Sequence, residues 1–293
     1  MKILITGASG LLGYDLWKTL KDEHELYASG RGDNPDFINT KQWINLDITN
    51  QQETFEKVTK LNCDLVIHSA AHSNVDDCQK NPELAFKINA LGTRNICVAC
   101  QRFDTTMCYI STDYVFDGKN TPEDGYTEFD KTNPLSIYAK SKYWGEFYVK
   151  HLLNKFYIAR VAWLFGSGRN NNFVSYTLNS IKEKKEINVV KNNWGSPTYT
   201  KDAARAISSL IKKPLSNIYH ITNSGKASRE TITDTIFKYV GKSTKLNVFD
   251  PEQFCKAPRP MKSYLKGYNL HLEGFEPMRP WQEAVKEFID SEF

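Results

Sequence analysis

Short apolar runs alternate with longer amphipathic stretches over the first 160 residues or so. Residues 2–6 form an apolar run, a glycine-spaced turn follows at 7–13, and helical periodicity then extends to about Lys21. Residues 25–29 and 43–48 read as the second and third strands, and 64–68 as a fourth whose side chains are apolar on both faces, as in a central parallel strand. From Pro82 a helical pattern runs through Asn89 to about Arg102, followed by strands at 106–113 and 156–160. This alternation predicts an α/β chain with a doubly wound parallel Rossmann sheet.

Beyond residue 160 the pattern loosens. Gly and Asn cluster at 166–172, a helix is expected at 173–184, a loop at 194–198, a helix at 199–211 and a strand at 218–222. The remainder mixes helix with Pro-rich loops, including 257–265. The expected division is a nucleotide-binding domain of residues 1–160 plus about 195–222. A smaller, discontinuous C-terminal α/β substrate lobe comprises about 161–194 plus 223–293.

The chain has 293 residues, 40% hydrophobic and 25% charged, with no apolar run as long as a membrane span. It opens directly on a strand rather than a signal peptide, so the expected location is cytoplasmic. A net charge of +4, spread along the chain, does not suggest a nucleic-acid partner but suffices for a small anionic ligand. The lysine-rich run at 182–185 reads as a solvated helix face. The six cysteines, Cys63, Cys78, Cys97, Cys100, Cys108 and Cys255, form no disulfide pattern. Cys97 and Cys100 have the spacing of half a zinc site but sit in an apolar helical pattern, which favours core packing, and no metal is expected.

Candidate chemistry collects at the strand ends. Gly7, Ser9, Gly10, Leu11, Leu12 and Gly13 lie between strand and helix, the context of a dinucleotide-binding turn, although the spacing is GxxGxxG rather than GxGxxG. After the second strand the chain reads Ser29-Gly30-Arg31-Gly32, with no carboxylate for a ribose 2′-hydroxyl. Arg31 there favours a 2′-phosphate, hence NADPH with NADH possible, or is an exposed loop residue. Asp47 and Ile48 could border the adenine, and Ser69, Ala70 and Ala71 are small enough for a cofactor to lie against. Ser111, Thr112 and Asp113 end the fifth strand. Tyr138 and Lys142 fall four apart on one helix face, where an ammonium would lower the phenol pKa toward that of a working acid and base. His72 is equally a structural histidine or a ligand contact. Tyr109, Tyr114 and Tyr143 read as packing residues.

Together these features resemble the extended short-chain dehydrogenase/reductase superfamily, and within it the dTDP-4-dehydrorhamnose reductase family. The residues that carry the likeness are Ala70–Asp76, Ile110–Gly118, Tyr138–Lys142, Arg160–Trp163, Asn171–Phe173, Gly195–Thr198 and Arg259–Ser263. The resemblance implies a reductase acting on the 4-keto group of a nucleotide-linked 6-deoxyhexose, most simply dTDP-4-dehydro-L-rhamnose, with a nucleotide-sugar substrate and a monomer or homodimer. Thr112, Tyr138 and Lys142 would be catalytic, with Asn89, Tyr138 and Lys142 also on the cofactor side. Ser73, Val75, Asp113 and Trp163 would line the sugar pocket and Arg259 would lie near the diphosphate.

The dehydratases of the superfamily resemble Thr-Asp-Glu at the fifth strand. This chain reads Thr112-Asp113-Tyr114, which lacks the second acid. Two segments depart from the narrower family. Asn192-Asn193-Trp194 stands where Asp-Gln is usual, and Ser228-Arg229-Glu230 where a Ser-Trp-Tyr-Glu-like segment is expected. A nucleotide-sugar 4-epimerase, or a non-catalytic NADP-binding subunit like that of methionine adenosyltransferase, are the alternative readings. Some members bind magnesium through interface glutamates, which have no placeable counterpart here.

Overall fold

In the computed structural model, which describes residues 1–169, 171–251 and 256–292, the apolar runs become one parallel sheet. Its strands are β1 (Lys2–Thr6), β2 (Glu25–Gly30), β3 (Trp43–Asn45), β4 (Leu65–His68), β5 (Thr106–Thr112) and β6 (Phe156–Val161), joined later in the chain by β11 (Asn217–His220). The order is β11-β6-β5-β4-β1-β2-β3, all parallel. Strand order reverses between β1 and β4, and the crevice beyond their carboxyl ends is where such sheets bind ligands.

The alternation of side chains across the pleat builds two cores. Ile3, Ile5, Leu65 and Ile67 face one layer with Leu16, Ala203 and Ile207. Leu4, Val66, Met107 and Tyr109 face the other with Ile96 and Val149. Between the strands run α1 (Leu11–Leu20), α2 (Gln51–Leu61), the short α3 (Val75–Lys80), α4 (Pro82–Phe86), α5 (Thr93–Gln101) and α6 (Ile137–Leu152). The helix expected from Pro82 is present, but residues Lys87–Gly92 between α4 and α5 adopt π-helical winding, which no sequence period announces. Side-chain caps fix several starts: Asn50 accepts from Glu53 N–H (3.1 Å) and Ser136 from Ala139 N–H (3.2 Å). Cys97 and Cys100 are buried on α5, Cys97 beside Met107, whereas Cys255 lies outside the described residues.

The third strand is shorter than expected, ending at Asn45, whose pairing with Gly30 is closed by the ladder bond from Leu46 N–H to Gly30 O (2.9 Å). After β6 come β7 (Leu164–Phe165), α7 (Phe173–Lys182), β8 (Ile187–Val190), β9 (Trp194–Gly195), β10 (Thr198–Tyr199) and α8 (Thr200–Leu210). Past β11 lie β12 (Ala227–Ser228), α9 (Arg229–Val240) and β13 (Leu246–Phe249), then helices Tyr268–Leu272 and Trp281–Glu292. Parallel pairing of β13 with β8 was not foreseen, since each strand is only four residues long and neither alternates cleanly. A third core of Phe165, Val174, Leu178, Ile232, Trp281 and Phe288 gathers α7, α9 and the C-terminal helix.

The glycine turn is where helix and strand come closest. A Cβ on Gly13 would lie 2.7 Å from Ala8 Cα, a backbone atom that cannot swing aside. Gly13→Ala is therefore expected to destabilise the fold by about 2 kcal/mol or more. In a thermal melt this should appear as a Tm lower by roughly 5 °C; an unchanged Tm would mean that the α1–β1 packing is looser than described.

Candidate active site

The turn after β1 is shaped for close backbone approach. Gly7 has φ 68°, and a Cβ there would sit 2.7 Å from the Ala70 backbone. Its N–H donates to Ser29 O (2.8 Å), while Ser69 Oγ donates to Thr6 O (2.8 Å), so the ends of β1, β2 and β4 are laced together. Gly10 caps α1 without a side chain, leaving the helix N-terminus and its N–H groups undecorated. Leu11 is half-buried at that end, Leu12 enters the core, and Ser9 O accepts from Arg169 Nε (3.0 Å). Arg31 is exposed, and its charge acts on Asp47. Burial works to raise that carboxyl, but Thr49, with Arg31 and Lys87, holds it below its ordinary value. Ile48 is buried, and its carbonyl accepts from Asn95 (2.9 Å).

Asn89, inside the π-helical turn, is fully buried and spans three elements. Its amide accepts from His72 N–H (2.8 Å) and donates to His72 O (3.0 Å) and to Ser141 Oγ (2.9 Å) on α6. The segment after β4 is thereby tied to α6. Ala71 and Ser73 are exposed on it, and Val75 opens α3. The His72 ring pairs with Asp77 (2.6 Å), a structural contact.

Ser136 starts α6 so that Tyr138 and Lys142 share a face beside the end of β5. Tyr138 is half-buried, edge-on to Tyr114 (6.0 Å between centroids), and hydrogen-bonds with Thr112. The Thr112 hydroxyl also accepts from Tyr114 N–H (3.2 Å). Lys142 is buried, with Nζ donating to Ile110 O (2.7 Å) and lying 4.2 Å from the Tyr109 ring centroid. Tyr109, as expected, is a packing residue.

The expected direction of the phenol pKa is reversed. Burial pushes Tyr138 above the ordinary tyrosine range, with Thr112 opposing, and pushes Lys142 down to about 7, with Glu146 opposing. The reason is that each group is shifted mainly by its own burial, and Lys142 is not among the groups that act on Tyr138. Nearby His68 is pushed down to about 3 by burial and is held between Thr6 (2.7 Å) and Thr93 (3.1 Å) hydroxyls as a neutral ring.

Asp113 is buried and pushed up to about 7 by that burial, against hydrogen bonds from Ser263 Oγ (2.5 Å) and Thr112. Ser263 belongs to the segment carrying Arg259, whose guanidinium pairs with Asp76 of α3 (2.7 Å). Trp163, after β6, has φ 42°, a conformation that costs about 1–3 kcal/mol for a bulky residue and collects at functional sites. Its indole lies against the Gly195 backbone, where a Cβ would be 2.6 Å from Cδ2, and the Arg229 guanidinium stacks on it at 3.7 Å. The sequence-predicted residues thus fall into two groups. Gly7–Gly13, Arg31, Asp47, Ile48 and Ser69–Ala71 line the β1/β2/β4 side. Thr112, Asp113, Tyr138 and Lys142 gather at β5 and α6, with Trp163 near Asp113 through Arg229.

Sequence reasoning gave no role to five residues. Glu146 and Arg160 form a buried bidentate pair (2.9 and 2.8 Å) behind Lys142, with Ser111 Oγ donating to Glu146 (2.6 Å). Asp76, Ser263 and Arg229 complete the other side. Glu146 stands four residues beyond Lys142, the one spacing that could have flagged it; the other partners are far apart in sequence.

A family model described as "RmlD substrate binding domain" matches residues 1–293. The spore coat polysaccharide biosynthesis protein SpsK of Bacillus subtilis is 36% identical over 290 residues, 98% of this chain and 96% of that protein. The dTDP-4-dehydrorhamnose reductase of Mycolicibacterium smegmatis is 32% identical over 300 residues, covering 98% and 85% respectively. The crystal structure of the Bacillus anthracis dTDP-4-dehydrorhamnose reductase in complex with NADP superimposes with a TM-score of 0.89, at 37% identity and 99% coverage of both chains. With sequence and fold matched along its whole length, this chain belongs to the dTDP-4-dehydrorhamnose reductase family of extended short-chain dehydrogenases/reductases.

Proposed function

We propose that the protein reduces the 4-keto group of a nucleotide-linked 6-deoxyhexose, dTDP-4-dehydro-L-rhamnose to dTDP-L-rhamnose, with NADPH. The observation that carries this reading is the meeting of Thr112, Tyr138 and Lys142 at the end of β5, beside a glycine turn that admits no side chain. The turn tests the fit of a dinucleotide. Any Cβ at Gly7 would meet the Ala70 backbone, and the bare start of α1 offers N–H groups to a pyrophosphate. Gly7, Ser9, Gly10, Leu11, Leu12 and Gly13 would hold that group, Arg31 the 2′-phosphate, Asp47 and Ile48 the adenine edge, and Ser69, Ala70, Ala71 and Asn89 the far side. When bound, NADPH supplies the hydride.

The chain's own groups then manage the oxygen. Burial keeps the Tyr138 phenol protonated, which is the form a reductase needs, because the carbonyl oxygen gains negative charge and must receive a proton. Thr112, hydrogen-bonded with Tyr138, places a second hydroxyl at the same point, which would turn its proton from Asp113 to the oxygen as charge develops there. Lys142, its pKa lowered to about 7 by burial, would stabilise the tyrosinate left behind and hold the nicotinamide ribose. Ser73, Val75, Asp113 and Trp163 are read as the sugar pocket and Arg259 as a diphosphate contact. The intact trio favours an enzyme over a regulatory subunit, and net oxidation of free NADPH separates a reductase from an epimerase.

We read residues 1–160 with about 195–222 as the nucleotide domain and the rest as the substrate lobe; β11 in the main sheet and the separate third core support this. The described cysteines are all free thiols, which supports a cytoplasmic location; the expected assembly is a monomer or homodimer.

Tyr138→Phe should lower kcat by roughly 10²–10⁴-fold while leaving the NADPH Kd within a few-fold, measured by absorbance and fluorescence titration; an unchanged kcat would remove Tyr138 from the mechanism. Arg31→Ala should weaken NADPH by about tenfold and leave NADH unaffected. Equal losses for both cofactors would assign Arg31 to the loop alone.

Lys142 gives a prediction with a definite sign. Its folded pKa, about 7, is below its unfolded value, so between these limits the unfolded chain binds more protons and stability rises with pH. In urea titrations at pH 7.5 and 9.5, wild type should gain on Lys142→Met by up to about 1.4 kcal/mol per pH unit. A difference independent of pH would show that Lys142 stays charged in the folded protein.

A further inference from the structure

Arg229 begins α9 at the position where the family resemblance led us to expect tryptophan, and the mechanism above does not use it. Ser228 fixes its backbone by accepting Thr231 N–H (3.0 Å). Its guanidinium carbon lies 3.7 Å from the Trp163 ring centroid and 4.5 Å from that of Phe173, so two aromatic rings set its plane. Among the described residues no carboxylate lies within ion-pair distance of it, unlike Arg160, Arg205, Arg259 and Arg279.

Arg259 and Asp113, both assigned above to the substrate side of the site, are the charged groups that act on Arg229, with the Tyr114 phenol also nearby. Burial lowers its pKa to about 10, which leaves it charged at neutral pH. Arg259 is steered by Asp76 (2.7 Å), and Ala257 N–H donates to the same carboxylate (3.0 Å), so the second guanidinium is also held. Asp113 offers little compensation, being pushed up to about 7 and occupied by Ser263. Arg259 therefore acts on Arg229 as a like charge, offset in part by its own partner Asp76, while Arg229 has no such partner among the described residues. A neutral sugar hydroxyl would not relieve that repulsion, whereas a diphosphate would, and each guanidinium fork matches phosphoryl oxygens.

We propose that Arg229 is a substrate-binding residue that, with Arg259, clamps the diphosphate of the nucleotide sugar, its guanidinium held flat by Trp163 and Phe173. This rests on the reading of the substrate as a nucleoside diphosphate sugar, but not on turnover. The diphosphate would then be met by two guanidinium groups rather than one.

The test is isothermal titration of the purified full chain with dTDP, and with UDP in parallel, at low and high salt. Wild type should bind at least one of them with an affinity that falls as salt rises. Arg229→Met should weaken that binding by about tenfold or more and flatten its salt dependence, with Arg229→Lys intermediate and the NADPH Kd within twofold. The proposal is overturned if neither diphosphate binds wild type, if Arg229→Met binds as wild type does, or if it binds more weakly with an unaltered salt dependence, which marks lost packing against Trp163. Should the methionine variant not fold, Arg229→Gln and Arg229→Lys carry the same comparison. Diphosphate binding by a wild-type protein that never oxidises NADPH with a 4-keto sugar would sink the reductase reading and leave the clamp standing.

Discussion

The buried pair between Glu146 and Arg160 is the contact on which the arrangement of the site depends. It joins α6, which carries Tyr138 and Lys142, to β6, whose end leads into Trp163, and through the Ser111 hydroxyl it reaches β5 one residue before Thr112. Burial alone would raise the Glu146 carboxyl, yet Arg160 and Ser111 hold it below its ordinary value. Such pairs contribute little net stability against an apolar replacement, but loss of one partner leaves an uncompensated charge worth about 3–5 kcal/mol. What the pair secures is register: α6 cannot slide along the sheet without stranding a guanidinium. Arg160 continues the chain of contacts toward His220 (3.5 Å), whose other ring nitrogen faces Tyr126 O and Lys266 O.

The same interior that needs this pair also sets the chemistry. Lys142 sits in it with one carbonyl acceptor and an aromatic face, so its charge is costly, and the phenol beside it remains protonated. That state suits reduction, in which a proton must be delivered as the oxygen becomes basic. Asp113, raised toward neutrality in the same surroundings, leaves the sugar side of the pocket less acidic than its residue content suggests. The two sides of the site therefore differ in kind: backbone N–H groups and small residues toward β1 and β4, and side chains with displaced pKa values toward β5 and α6.

Much of this was legible along the chain where a property depends on local spacing. Strand-helix alternation, the GxxGxxG turn, the Tyr138–Lys142 interval and the Ser136 start of α6 are set by the geometry of the pleat and of the helical turn, which any stretch of such sequence carries with it. That the strands run parallel follows from the same alternation and from the handedness of crossovers, whereas their order and the switch point between β1 and β4 came from the fold.

Tertiary structure decided the rest because burial and charge belong to neighbours brought from far away. Arg259 meets Asp76 across 183 residues and Ser263 meets Asp113 across 150, and no period in the sequence relates them. The pairing of β13 with β8, the π-helical turn that aims Asn89, and the stack of Arg229 on Trp163 are likewise products of packing. The clearest case is the sign of the Tyr138 shift. The sequence by itself determined that a phenol and an ammonium share one helix face; only the fold determined that burial, rather than the ammonium, sets the direction of the phenol's shift.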